Sequence, residues 1–346
     1  MIAVTQILEQ YGIKDNIDFK LYGNGLINHT YLIEEKATDK KYILQQVNKN
    51  VFKNPLDIDF NIQAIATYIT RYSPSYKMSL PIEAKNGRHM IKLNDEYFRL
   101  FLFIEYSHTI DTVTNAEQAY EASKQFGTFT SVLNKIKISE LKNTIPNFHN
   151  LELRFEQYND SLRSGNTNRI QKARTLIDHL KRYTFIVNEF QKIKRIPEFK
   201  IRVMHHDTKI SNVLFNEKDK GICVIDLDTV MPGYFISDVG DMMRTYLSPV
   251  SENENDLSKI NIRKEFYEAI LSGYTQAMGN ELTGLEKKYF IYSGKFMIYM
   301  QALRFLTDHF NDDIYYGAKI EDQNYLRALN QLTLLDRLSE FEKSLI

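Results

Sequence analysis

The sequence predicts an α+β protein of two lobes, and three observations carry that prediction. The first 110 residues alternate with the period of strands and are punctuated by turn residues. The rest is dominated by helical spacing, and a single strand pair interrupts it. A small antiparallel sheet over residues 1–110, a larger helical region over 111–346 and a cleft between them follow.

In the first region, Lys20 to Ile33 reads as strand, glycine turn and strand, and Lys41 to Val47 as a third strand. Pro55 to Arg71 carries Ile58, Ile62, Ile65 and Ile69 at helical spacing, which predicts a helix. Between Ala84 and Ile104, Asn86-Gly87 and Asn94-Asp95 predict two turns separating strands. Beyond residue 112, helices are predicted over 117–133, over 154–194 with a break near Ser164-Gly-Asn, and over 264–278, 285–309 and 324–344. The interrupting strands are Asn212 to Phe215 and Ile222 to Ile225.

Lys+Arg and Asp+Glu both number 44, so the net charge is zero and nucleic acid or an anionic membrane is not expected as a partner. The one cysteine, Cys223, lies in an apolar strand pattern and predicts a buried thiol in a reducing compartment. Neither a signal peptide nor an apolar run of about 20 residues is evident, which predicts a cytoplasmic protein. The eight histidines lack metal-ligand spacing.

The chemistry concentrates in His205-His-Asp207-Thr-Lys209-Ile-Ser-Asn212 and in Asp226, which follows Asn212 by fourteen residues. A carboxylate at 207 can take the proton of an attacking hydroxyl, and Lys209 can neutralise charge on a transferred phosphoryl group. One amide oxygen at Asn212 and one carboxylate at Asp226 suit magnesium, which keeps several waters and borrows phosphate oxygens. The strand pair returns Asp226 to the end of the hairpin where Asp207 and Asn212 lie. Gly23-Asn24-Gly25 is the candidate nucleotide loop, because glycines let backbone N–H groups approach phosphates. Taken alone it is equally an ordinary hairpin turn.

These residues resemble the catalytic loop of protein kinases and, more closely, that of the aminoglycoside phosphotransferase and choline kinase group. Within that group, His-Asp-Thr-Lys-Ile-Ser-Asn-Val-Leu-Phe and Val-Ile-Asp-Leu-Asp-Thr-Val-Met-Pro-Gly are most similar to the N-acetylhexosamine 1-kinases, and the similarity extends through most of the chain. The resemblance implies a bilobal protein-kinase-like fold, with a nucleotide-binding lobe over 1–110 and a helical lobe over 111–346 that carries catalytic loop and substrate site. It implies ATP as co-substrate, Mg2+ as metal, and phosphorylation of the anomeric hydroxyl of N-acetylglucosamine or N-acetylgalactosamine. It implies Asp207 and Lys209 as catalytic residues, Asn212 and Asp226 as metal ligands, and Asp228, Arg304 and Tyr315 as contacts to the sugar. His205 is expected to be structural, and Asp238 and Asp241 to stand behind the site. Protein kinases place a lysine on the third strand, whereas this chain has Gln45, assigned to the nucleotide, and leaves open which group clamps the phosphates. Without the resemblance, Arg304 predicts an ion pair with Asp308 one helical turn on, and Tyr315 simple packing. A choline, homoserine or aminoglycoside kinase and a nucleotide-binding pseudokinase are the competing readings.

Overall fold

The computed structural model describes residues 2–14, 16–23 and 27–345. Helix α1 (Ile2–Gln10) precedes five strands, β1 (Ile17–Leu21), β2 (His29–Glu35), β3 (Lys40–Val47), β4 (Met90–Leu93) and β5 (Glu96–Leu102). They form one antiparallel sheet in the order β1-β2-β3-β5-β4. Helix α2 (Pro55–Tyr72) lies between β3 and β4, starting at the proline that is pre-organised for a first helical turn. Strand alternation sorts the sheet into two faces. Ile33, Tyr42, Leu44, Phe98 and Leu100 turn outward onto Val4, Ile7 and Leu8 of α1. Val47 and Met90 turn inward to Ile58, Ile62, Ile65 and Ile69 of α2.

Asn94 and Asp95 both have positive φ and close the two-residue β4–β5 hairpin, as their types favour. The other predicted turn, at Asn86-Gly87, forms, but no regular strand precedes it. Only an isolated bridge from Pro81 to Phe101 remains there, because proline has no N–H to give a ladder.

The chain then passes through β6 (Ser107–His108) into helices α3 (Ala116–Val132), α4 (Leu151–Ser164), α5 (Thr167–Lys172), α6 (Arg174–Lys181) and α7 (Phe185–Ile193). The long helical stretch expected over 154–194 is thus four helices. One break is at Gly165, where any Cβ would strike backbone carbonyls of Ser161 and Phe310. Strands β7 (Ile201–Met204), β8 (Val213–Asn216), β9 (Gly221–Val224) and β10 (Met231–Tyr234) follow, β7 pairing with β10 and β8 with both β6 and β9. Helices α8 (Phe235–Tyr246), α9 (Lys264–Met278), α10 (Gly284–Lys288), α11 (Phe290–Phe310) and α12 (Gln323–Lys343) complete the chain. The predicted helix over 285–309 divides at Tyr289, which ends α10 and caps α11. Cys223 is buried and free, as expected.

Helix α11 is buried on nearly every side and is the axis against which α4, α8 and α12 pack. Its contact with α8 fixes the position of the loop after β7, which α8 holds. Gly240 of α8 meets the Ser293 carbonyl of α11, and an added Cβ would also lie 2.9 Å from Met297 Cβ. Gly240→Ala is expected to destabilise the protein by about 1–3 kcal/mol through overpacking. The denaturant midpoint checks it, and an unchanged midpoint would show that α8 is not tightly seated.

Candidate active site

The candidate catalytic loop leaves β7 at His205 and ends at Asn212, just before β8, and α8 holds it by its backbone. Asp238 accepts from His205 N at 2.9 Å and from His206 N at 2.8 Å. Asp241 accepts from Thr208 N at 2.9 Å and from Arg244. Thr208 Oγ1 donates to the Asp238 carbonyl, and Tyr246 donates its hydroxyl proton to the Thr208 carbonyl. Burial pushes Asp238 up to about 7, against the pull of the two N–H groups it accepts from. His205 is buried between Phe126 and Phe129, and its Nε2 lies 2.9 Å from the Ile225 carbonyl. It joins the loop to the end of β9, the structural place expected of it.

Asp207, Lys209, Asn212 and Asp226 converge at that end of the β8–β9 hairpin. Lys209 Nζ stands 3.0 Å from Asp207 Oδ1. Asn212 Nδ2 donates to the Asp207 carbonyl at 2.8 Å and to its Oδ2 at 3.0 Å, which leaves the Asn212 amide oxygen turned away from Asp207. Burial raises the Asp207 pKa, but the charge and hydrogen bond of Lys209, with His205 and Asn212, outweigh it and hold the carboxyl below its usual range. Asp226 goes the other way. Burial first, then the charges of Asp228 and Asp207, push it up to about 7, with Arg99 and Lys209 opposing.

Asp226 sits in the left-handed region at φ 57, and its Oδ1 is buried with no hydrogen-bond partner. A buried orphan carboxylate oxygen beside a free amide oxygen fits a hard cation. Among the described residues, no group of three or more His, Cys, Asp or Glu forms a closed metal cage, so such a cation would need phosphate and water oxygens as well. Asn212 and Asp226 are the residues that fit it.

Asp228 is engaged from the other lobe. Arg99 of β5 makes an ion pair with its Oδ1, off the hydrogen-bonding direction, and Asn28 Nδ2 donates to its Oδ2 at 2.7 Å. Arg99 is 1% exposed. Gln45 Oε1 accepts from Arg99 Nε at 3.1 Å and Nη2 at 2.8 Å. Gly23 has φ 77 with open space around its Cα, while Asn24 and Gly25 lie outside the described residues. Asn61 of α2 completes the seam by donating to the Val230 carbonyl at 2.9 Å.

On the far side of Asp207 a second group assembles. Arg304 of α11 lies 5.4 Å from the Tyr316 ring, 5.8 Å from Phe148 and 5.9 Å from Tyr315. Phe148 stacks on His149, whose ring is 5.2 Å from His206, the neighbour of Asp207. The ion pair with Asp308 does not form. Asp308 instead accepts from Tyr315 N, Tyr316 N and Asn324, and Arg304 donates to Gln301 Oε1 at 3.1 Å. Tyr315 is 71% exposed, so it is not packed as an ordinary core tyrosine. Burial first, then His206, Arg304, Arg244 and Arg154, hold the His149 pKa well below its ordinary value.

Arg99, His149 and Tyr316 were not singled out from the sequence. Arg99 had a signal, since a lone charge in Tyr97-Phe-Arg99-Leu-Phe-Leu must find a buried partner. A cation at Asp226 would have to compete with a proton. Magnesium or manganese affinity is therefore expected to fall about tenfold per pH unit below about 7 and to level off above it. Manganese binding followed by electron paramagnetic resonance, with a nucleoside diphosphate present, checks this, and an affinity that ignores pH across that range would contradict it.

The profile of the phosphotransferase enzyme family (APH) matches residues 18–280. Among solved structures, a microcompartment-associated aminopropanol kinase superposes with a TM-score of 0.65 at 15% identity, over 99% of this chain and 98% of its own. An aminoglycoside phosphotransferase from Alicyclobacillus acidocaldarius gives 0.65 at 11% identity, over 97% and 94%. Choline kinase from Cryptosporidium parvum gives 0.61 at 14% identity, over 99% and 96%. These likenesses share the two-lobed kinase-like fold, and the profile match decides the rest: this chain belongs to the phosphotransferase enzyme family.

Proposed function

We propose that this phosphotransferase uses ATP and Mg2+ to phosphorylate the anomeric hydroxyl of an N-acetylhexosamine. Solved relatives in complex with ADP and AMP support a nucleotide as donor. The observation that carries the acceptor reading is Arg304, a guanidinium with no carboxylate partner among the described residues, set among Phe148, Tyr315 and Tyr316. The acids around it are already engaged: Asp241 and Glu252 by Arg244, Asp308 by backbone N–H groups. A cationic acceptor such as choline or an aminoglycoside needs free acids or an aromatic cage, and would instead meet Arg304, Arg154 and Arg244. A neutral, oxygen-rich acceptor suits a planar donor with aromatic faces beside it.

In this reading the acceptor oxygen attacks the γ-phosphorus and its proton passes to Asp207. The bond from that phosphorus to the bridging oxygen breaks, and ADP leaves. Asn212 orients Asp207 through its Nδ2, and Lys209 keeps the carboxyl ionised and faces the transferred group. Magnesium held by Asn212 and Asp226 would neutralise phosphate charge when bound.

Asp207→Asn is expected to keep the fold and to lower kcat by roughly 10²–10⁴, the range of a positioned base. A purified variant with near-parent turnover would remove Asp207 from that role. Arg304→Ala is expected to raise the sugar KM at least tenfold, about the loss of one charged hydrogen bond, and the ATP KM little. Arg304→Lys should rescue only part, lacking the fork. If Arg304→Ala leaves both constants unchanged and lowers only the melting temperature, the arginine is structural and the sugar reading loses its main support.

A further inference from the structure

We propose that Arg99 is the cation that binds the nucleotide's phosphates, with Gln45 and Asp228 as positioning residues that aim its guanidinium; this rests on the nucleotide reading above. Arg99 projects from β5 on the inner face of the sheet, beside its register partner Gln45 on β3. A guanidinium has a side edge, Nε with Nη2, and an end edge, Nη1 with Nη2. Gln45 Oε1 occupies the side edge, and Asp228 Oδ1 is ion-paired with Nη2. Nη1, the other nitrogen of that end edge, is buried without a partner.

A buried guanidinium N–H left unpaired costs stability, as does a buried carboxylate oxygen. Both kinds occur at the same seam: Arg99 Nη1, and Asp226 Oδ1 two residues from Asp228, whose own Oδ1 also lacks a hydrogen bond but is ion-paired with Arg99. A phosphate oxygen and the magnesium it carries would satisfy the pair together, the oxygen on Nη1 and the metal on Oδ1. Neither a bare anion nor a bare cation does both. Asn28, just before β2, is tied to the same point, because it donates to Asp228. The glutamine found where protein kinases carry a strand lysine then has a role. It aims a cation supplied by the neighbouring strand, and answers which group clamps the phosphates.

Isothermal titration with ADP and with adenosine tests this without turnover. Arg99→Met alone would strand a buried Asp228, so the variant is Arg99→Met with Asp228→Asn, which removes both charges. ADP affinity is expected to fall about 10–100-fold, as a charged hydrogen bond predicts, with adenosine affinity unchanged. A second variant, Arg99→Met with Gln45→Lys and Asp228 kept, returns the cation to β3. It should recover most of the ADP affinity, since register partners stand about 5 Å apart. Parent-like ADP binding by the first variant overturns the proposal, as does equal loss of ADP and adenosine, which would make Arg99 a lobe-packing residue. A parent protein that binds neither ligand overturns the nucleotide reading itself, and this inference with it.

Discussion

Two buried carboxylates, Asp238 and Asp241 on the first turns of α8, hold the backbone N–H groups of His205, His206 and Thr208, and the site depends on that grip. The loop between β7 and β8 is irregular, and His206 within it sits at φ 65, a conformation that costs about 1–3 kcal/mol for most side chains. Hydrogen bonds to carboxylates are the strong kind, so they can offset that strain. Because α8 is wedged against α11 through Gly240, the grip is transmitted from the centre of the helical region to Asp207. The Asp207 carboxylate is thus placed by a rigid core, while its own side chain stays partly open.

The second constraint lies across the cleft. Asp228 follows the metal-fitting Asp226 by two residues, yet its partners are Arg99 and Asn28 of the sheet region. With Asn61 of α2 on the Val230 carbonyl, the segment 226–230 is held from both sides. Such a seam makes Asn28, the sheet and the segment 226–230 parts of one polar network. Truncating one member would leave another buried and unpaired. An Asp228 so engaged has little free capacity for an acceptor, so the proposed reading rests acceptor recognition on Arg304 and the rings around it.

Much of this was legible in the sequence, for reasons that differ by residue. Asp207, Lys209, Asn212 and Asp226 share one short loop and one hairpin, so spacing alone brings them together. Helix α9 carries a clean apolar period and ends at Gly279, and its predicted bounds agree with the observed Lys264–Met278. What escaped was long-range. Arg99 and Asp228 are 129 positions apart, and no local pattern pairs them. The break at Gly165 was expected, whereas those at Ala173 and at Arg182–Thr184, which complete the division of residues 154–194 into four helices, carry no glycine or proline to announce them. Arg304 and Asp308 have the ideal spacing for an ion pair. That pair gave way because two backbone N–H groups at Tyr315 and Tyr316 competed for the same carboxylate.

In the proposed reading, the uncompensated guanidinium of Arg304 helps to hold a neutral sugar, and phosphate passes to the sugar's anomeric oxygen. The most direct test is to incubate the purified protein with ATP and magnesium against a panel of N-acetylhexosamines, hexoses, choline, aminopropanol and aminoglycosides, and to assign the product by phosphorus NMR. The account predicts ATP consumption with an N-acetylhexosamine and a phosphorus signal coupled to the anomeric proton. Phosphate on C6, or turnover with an amino alcohol in preference to every sugar, would contradict it.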